Sequence, residues 1–167
     1  GELRLDSKDF SLHLAPIFAK PWQYQQANAL LKWTLDANSF TLIAPYINVL
    51  GEEGKIAADF LIRIHMDHAS EDYMDLRVGL TDGDGRFTTK YLPQVLSPAL
   101  KEWLSTAIIK GAVEEGFFQY QGSLNHDAVA AARNISLFFK VHDAELAFQP
   151  GWPHVRNVSG DVFIEDS

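Results

Sequence analysis

Three groups of side chains have the types and spacing that could do chemistry, and each must be weighed against the backbone that would hold it. His65, Asp67 and His68 offer two imidazoles and a carboxylate, a donor set that suits zinc. On an extended strand His65 and Asp67 project from one face, so both could reach a single ion and support metal-assisted hydrolysis. The spacing assures no sequence-local third ligand, and imidazole and carboxylate ligands also need outer hydrogen-bond partners, so the plainer expectation is a solvated strand face opposite Ile64 and Met66. Asp82-Gly83-Asp84-Gly85 begins like a calcium loop, but Pro93 stands where the bidentate Glu is required. A tight hairpin turn, with glycine supplying positive φ, is the expectation there. Glu114 and Glu115 could work as an acid and base only if a bulge beside Gly116 brought adjacent side chains together; otherwise they are solvated carboxylates. Nucleophile elbow, Walker loop, dinucleotide fingerprint and metalloprotease helix are all absent from the sequence. The reading is a protein with no catalytic residue, no metal and no cofactor.

Composition narrows the partners. The 167 residues are 47% hydrophobic and 22% charged, with 11 Phe, 4 Trp and 5 Tyr, which is the profile of a chain that folds. A net charge of -8 opposes docking on phosphate backbones, so nucleic acid is not expected. The absence of cysteine removes disulfides and thiolate sites and fits either a reducing or an oxidising compartment. No stretch approaches the roughly 18 apolar residues of a transmembrane helix, and the opening Gly1-Glu2-Leu3-Arg4 is unlike a signal peptide. A chain that starts on a strand without an initiator Met reads as a piece of a longer protein, with residues 1–167 forming a single segment.

The elements that must position these residues are mostly strands. Leu3 and Leu5, then Phe10, Leu12 and Leu14, then Leu31, Trp33 and Leu35, then Phe40, Leu42 and Ala44 alternate with mainly polar neighbours. From Ile56 to Met66 the alternation puts Ile56, Ala58, Phe60, Ile62, Ile64 and Met66 on one face, over a length of about 35 Å. Met74, Leu76, Val78 and Leu80 continue it, as do Phe118, Tyr120 and Leu124, then Ile135, Leu137, Phe139 and Val141, then Ala144, Leu146 and Phe148, and finally Val158, Val162 and Ile164. One segment has a helical period instead: Leu100, Trp103, Leu104, Ala107 and Ile108, with Ser97 as N-cap, Pro98 at the first position and Gly111 past the end, predict a helix over 98–110. The Ala-rich stretch 127–133 predicts a short helical turn. The fold class is therefore mainly β with one α-helix: roughly ten strands in an extended, twisted antiparallel sheet, forming an open groove or half-barrel. One helix covers only part of so much sheet, and the rest of the apolar face must meet curvature, a neighbouring segment or a ligand.

Two stretches carry a family resemblance. Tyr91-Leu92-Pro93, Leu100, Trp103-Leu104, Ala107-Ile108, Gly111 and the Gly116–Gly122 strand resemble a segment of the YhdP family in which a short helix precedes a glycine-flanked strand. Phe148-Gln149-Pro150-Gly151-Trp152-Pro153, with Val155, Val158 and Gly160, resembles that family's recurring turn before a new strand, and Leu31, Trp33, Phe40 and Leu42 are similar to its preceding hairpin. The resemblance implies kinship with the AsmA-like group and the chorein-type bridge lipid-transfer proteins. It also implies a periplasmic β groove in a Gram-negative cell, in a parent protein anchored in the inner membrane, along which phospholipid moves toward the outer membrane without a chemical step. Under that reading the groove candidates are Leu31, Trp33, Leu35, Phe40, Leu42, Phe60, Ile62, Ile64, Leu76, Val78, Leu80, Phe118, Leu137 and Phe139. The expected partners are an acyl-chain lipid and neighbouring segments of the parent chain. The alternative is a structural or partner-binding β module of the envelope, in which the same apolar rows make a closed core.

Overall fold

The computed structural model describes residues 1–13, 20–67, 70–91, 102, 105–106, 108–125, 128–129, 132–147, 149 and 151–166. Eight strands follow one another along the chain: β1 (Glu2–Leu12), β2 (Trp22–Leu35), β3 (Ser39–Gly51), β4 (Gly54–His65), β5 (Tyr73–Asp84), β6 (Ile108–Ser123), β7 (Arg133–Leu146) and β8 (Val155–Asp166). Each pairs antiparallel with the next in a single eight-stranded sheet of order β1 to β8. Because β1 and β8 are not paired with one another, the sheet is open. The alternating pattern that predicted strands is thus realised, but in eight long strands rather than ten short ones.

The difference lies at bulges. Pro45 interrupts the alternation of β3, and the register shifts rather than ending, between Ile43 and Tyr46 against β2 and between Ala44 and Ile47 against β4. A proline has no N–H to give to a central ladder and is accommodated where the pairing is irregular. Asp143, at φ 52°, does the same in β7, where the register with β8 shifts between Val141 and Ala144; what reads as two strands is one. The residues other than glycine with positive φ are Asp9, Asp82, Asp143 and Asn157, types whose short polar side chains tolerate the left-handed region.

Two expectations are corrected at the β5–β6 connection. Asp82-Gly83-Asp84-Gly85 is not a tight hairpin: Asp82 takes a left-handed φ of 54° and β5 runs on to Asp84, followed by a 3-10 helix over Gly85–Tyr91. The tight hairpin is instead β3–β4, where Gly51 pairs with Gly54 around Glu52 and Glu53. Of the predicted helix over 98–110, residues 98–101, 103–104 and 107 lie outside the described residues. Glu102, Ser105 and Thr106 are helical, with both hydroxyls donating to the Glu102 carbonyl at 2.8 and 2.9 Å. Ile108–Lys110 already belong to β6, so the helix does not extend to 110. Pairing of Ile108 with Leu146 and of Lys110 with Glu145 claims that end for the sheet. Tertiary pairing here overrides a local helical period.

Both ends of the sheet are fastened by polar groups. At one end the Asp36 carboxylate accepts from the Asn38 and Ser39 amides at 2.8 and 2.7 Å and from the Ser39 hydroxyl at 3.0 Å. Those bonds hold its pKa below the ordinary value. Asp72 accepts from the His65 amide at 2.8 Å, while its own amide donates to Asn125 at 2.9 Å, tying two loops together. At the other end Glu53, 4% exposed, is ion-paired with Lys90 of the 3-10 helix, and the Lys90 ammonium lies 5.4 Å from the centroid of the Tyr24 ring.

Candidate functional site

Register decides which side chains share a face, since directly paired residues point the same way. One row across the sheet runs Trp33, Leu42, Ile62, Met74. The next runs Ala44, Phe60, Leu76, Tyr120, Ile135. Beyond it come Ala58, Val78, Phe118, Leu137, and then Ile56, Leu80, Gly116, Phe139, Val162. Leu35, Phe40 and Ile64 form a further row toward the Asp36 turn, and Leu31 pairs with Leu3 at the β1 side. Every groove candidate named from the sequence is thus on one face. The same face holds Ala27, Ala29, Ile47 and Val49, which the alternation of β2 and the post-bulge half of β3 could have supplied.

The opposite face is polar. It carries the Asp59–Arg77 pair at 2.7 Å on adjacent strands, the Asn28–Asn48 amide bond at 3.1 Å, and Lys55 bonded to Asp82 at 2.8 Å. Lys140 reaches Glu114 at 3.1 Å. Such pairs on a wet surface contribute little each, but they mark which side of the sheet meets water.

No second layer covers the apolar face among the described residues. The buried apolar residues are Tyr24, Ala27, Ala29, Ala44 and Ala144, and no large side chain is fully buried. Phe60, Ile62, Ile64, Leu76 and Leu80 are half-buried, while Trp33 and Leu35 are exposed. A sheet seven strand spacings wide measures roughly 34 Å across with strands of about 40 Å. That is an apolar face far larger than the few hundred Å² usual on a soluble monomer.

The groups considered for chemistry sit apart from this face or already have structural roles. β4 ends at His65, so Asp67 lies in the following turn rather than beside His65 on a strand. There it accepts from the Ser70 amide at 2.7 Å and the Ser70 hydroxyl at 3.1 Å. His65 Nδ1 is 3.8 Å from Asp72, and His68 lies outside the described residues. Among the described residues no group of three or more His, Cys, Asp or Glu could hold a metal. Glu114 occupies a β6 bulge, since the register shifts between Val113 and Glu115, but its carboxylate is engaged by Lys140.

The YhdP sequence profile matches residues 1–167 in full. The chain belongs to the YhdP family. Over 171 aligned positions it is 24% identical to the intermembrane phospholipid transporter YhdP of Escherichia coli (strain K12), an alignment that takes in 99% of this chain and 13% of that protein. The chain thus spans about an eighth of the length of this YhdP relative. No solved structure matches it. Among the described residues no helix is long and apolar enough to cross a membrane.

Proposed function

We propose that the chain is a non-enzymatic segment of an envelope lipid-transport protein, and that its apolar sheet face is the surface on which phospholipid acyl chains lie. The observation that carries this is the register: apolar rows from every strand share one face, and no layer of this chain closes over it among the described residues. Acyl chains suit such a face because hydrophobic contact is non-directional. Each methylene removed from water contributes about 0.8 kcal/mol wherever it lies, so a lipid can shift along the rows without breaking a specific bond. Family membership and a relative named for intermembrane phospholipid transport support the same reading. It places the segment in the periplasm, within a parent protein anchored in the inner membrane.

The open edges of β1 and β8 fit this role, since unpaired ladder groups there can accept neighbouring strands of a longer sheet. The rival reading, a closed structural module, calls for a cluster of large, fully buried side chains, and among the described residues Tyr24 is the one large apolar side chain that is buried, at 6% exposure. The reading is tested by purifying the chain from bacterial membranes and measuring co-extracted lipid by mass spectrometry, with Phe60→Asp alongside. Phospholipid that accompanies the native chain and is lost from a folded Phe60→Asp variant is the expected result. Native protein free of phospholipid contradicts it.

A further inference from the structure

Besides the apolar pairs Leu30–Tyr46 and Ile43–Leu61, the polar face carries an aromatic line that the acyl path does not use. Phe117, Phe138 and Phe163 are successive register partners on β6, β7 and β8. They point away from the face that carries Phe118, Leu137 and Phe139. Phe117 is 39% exposed and Phe163 63% exposed. Three aligned rings on a wet surface are a large apolar investment with a preferred stacking geometry. Next to Phe117 the same register row continues through Gly79 and Ala57. These bring so little bulk that an open hollow of about 410 Å³ remains, walled by Asn48, Lys55, Thr81 and Glu115.

Charge identifies what would sit there. Glu115, Lys140 and Asp161 form the register row on one side of the rings; the row on the other side runs Asp59, Arg77, Gln119, Ser136, Glu165, with Arg77 neutralised by Asp59 at 2.7 Å. The single ammonium of that border, Lys140, is bonded to Glu114, and Lys55 in the hollow is bonded to Asp82. The strip is therefore an aromatic line with an acidic border, which repels anionic lipid headgroups and attracts cations able to stack on the rings.

We propose that this strip docks an extended basic segment of a partner protein. Its apolar side chains lie on Phe117, Phe138 and Phe163, its Lys or Arg residues meet Glu115, Asp161 and Glu165, and one long side chain enters the hollow. Aromatic anchors with a complementary charged border are the usual anatomy of such surfaces.

The test uses a labelled 12-residue peptide of alternating Leu and Arg, a matched peptide of Leu and Glu, and phosphatidylglycerol vesicles, each titrated against the chain by fluorescence anisotropy or flotation. The Leu–Arg peptide should bind with an affinity that falls with salt. It should weaken about tenfold, the effect of losing one anchor, in Phe163→Ser and in the double variant Asp161→Asn with Glu165→Gln, and keep its affinity in Phe60→Asp on the opposite face. The double variant changes only exposed polar side chains, so it remains informative if Phe163→Ser fails to fold. Equal affinity for the Leu–Glu peptide, binding indifferent to both outer-face variants, or preference for the vesicles overturns the proposal.

Discussion

Glu53 is a carboxylate with 4% exposure in a two-residue turn, and the Lys90 ammonium, itself 17% exposed, is paired with it. Removing one member of a buried pair leaves the other charge poorly hydrated and without its counter-ion. Lys90→Met is therefore expected to lower unfolding free energy by about 3 kcal/mol. Urea denaturation reads this, and the double variant Lys90→Met with Glu53→Gln should recover part of the loss; an unchanged midpoint for the single variant would contradict the assignment. Glu145 poses the same question near the end of β7. It accepts from His154 Nδ1 at 3.0 Å and Arg156 Nε at 3.1 Å, with the Lys110 ammonium at 3.5 Å. The hydrogen bond from His154 first, then that from Arg156, hold its pKa below the ordinary value against the opposing effect of burial. A carboxylate whose pKa is lowered by folding stabilises the native state above its unfolded-state pKa, and that contribution fades as pH falls through the folded-state value. The difference in urea midpoint between native protein and Glu145→Gln should thus be constant near neutrality and shrink in acid below the usual carboxylate range. A difference that widens in acid would refute it.

At the scale of elements, alternation made the strands legible and bulges obscured their ends. Ile56 to Ile64 is the clear case, because no proline or left-handed residue interrupts β4 and every second side chain is apolar. In β3 and β7, Pro45 and Asp143 break the period, and a broken period looks the same in sequence whether the strand bulges or stops. The acid-and-glycine run at 82–85 shows the same ambiguity, since left-handed φ serves a bulge as well as a turn. At the β3–β4 hairpin the special backbone is at Gly54. Its φ is +126°, and an added Cβ would stand 2.8 Å from the Thr81 carbonyl oxygen and 2.9 Å from that of Asp82. Gly54→Ala must therefore strain the backbone and displace the end of β5, at a loss of about 1–3 kcal/mol. Thermal and urea unfolding check this, and a variant as stable as the native chain would show that the hairpin end is free to move.

At the scale of the molecule, the described residues form one sheet with a wet face and an oily face, held by its ladder and by cross-strand pairs. Within each unbroken stretch β parity puts Trp33, Leu42, Ile62 and their neighbours on one face, but it switches at Pro45, so Ile47 and Val49 join that face only once the register is known. What covers that face was not readable, since alternation is identical in a closed core and an open one. Nor did sequence single out the outer line of Phe117, Phe138 and Phe163, which exists only once three strands are placed in register. With no layer packed on Phe60 among the described residues, Phe60→Asp is expected to leave the cooperative fold intact by circular dichroism, whereas in a closed core it would unfold the chain. The central claim, that acyl chains lie on one face and not the other, is tested most directly on β4. A photoreactive benzoylphenylalanine is placed in turn at Phe60 and at Asp59, and crosslinking to radiolabelled phospholipid is measured in each. Strong labelling from position 60 and little from position 59 is the expected result; equal labelling from both positions, or none from position 60, would rule out an acyl path on this face.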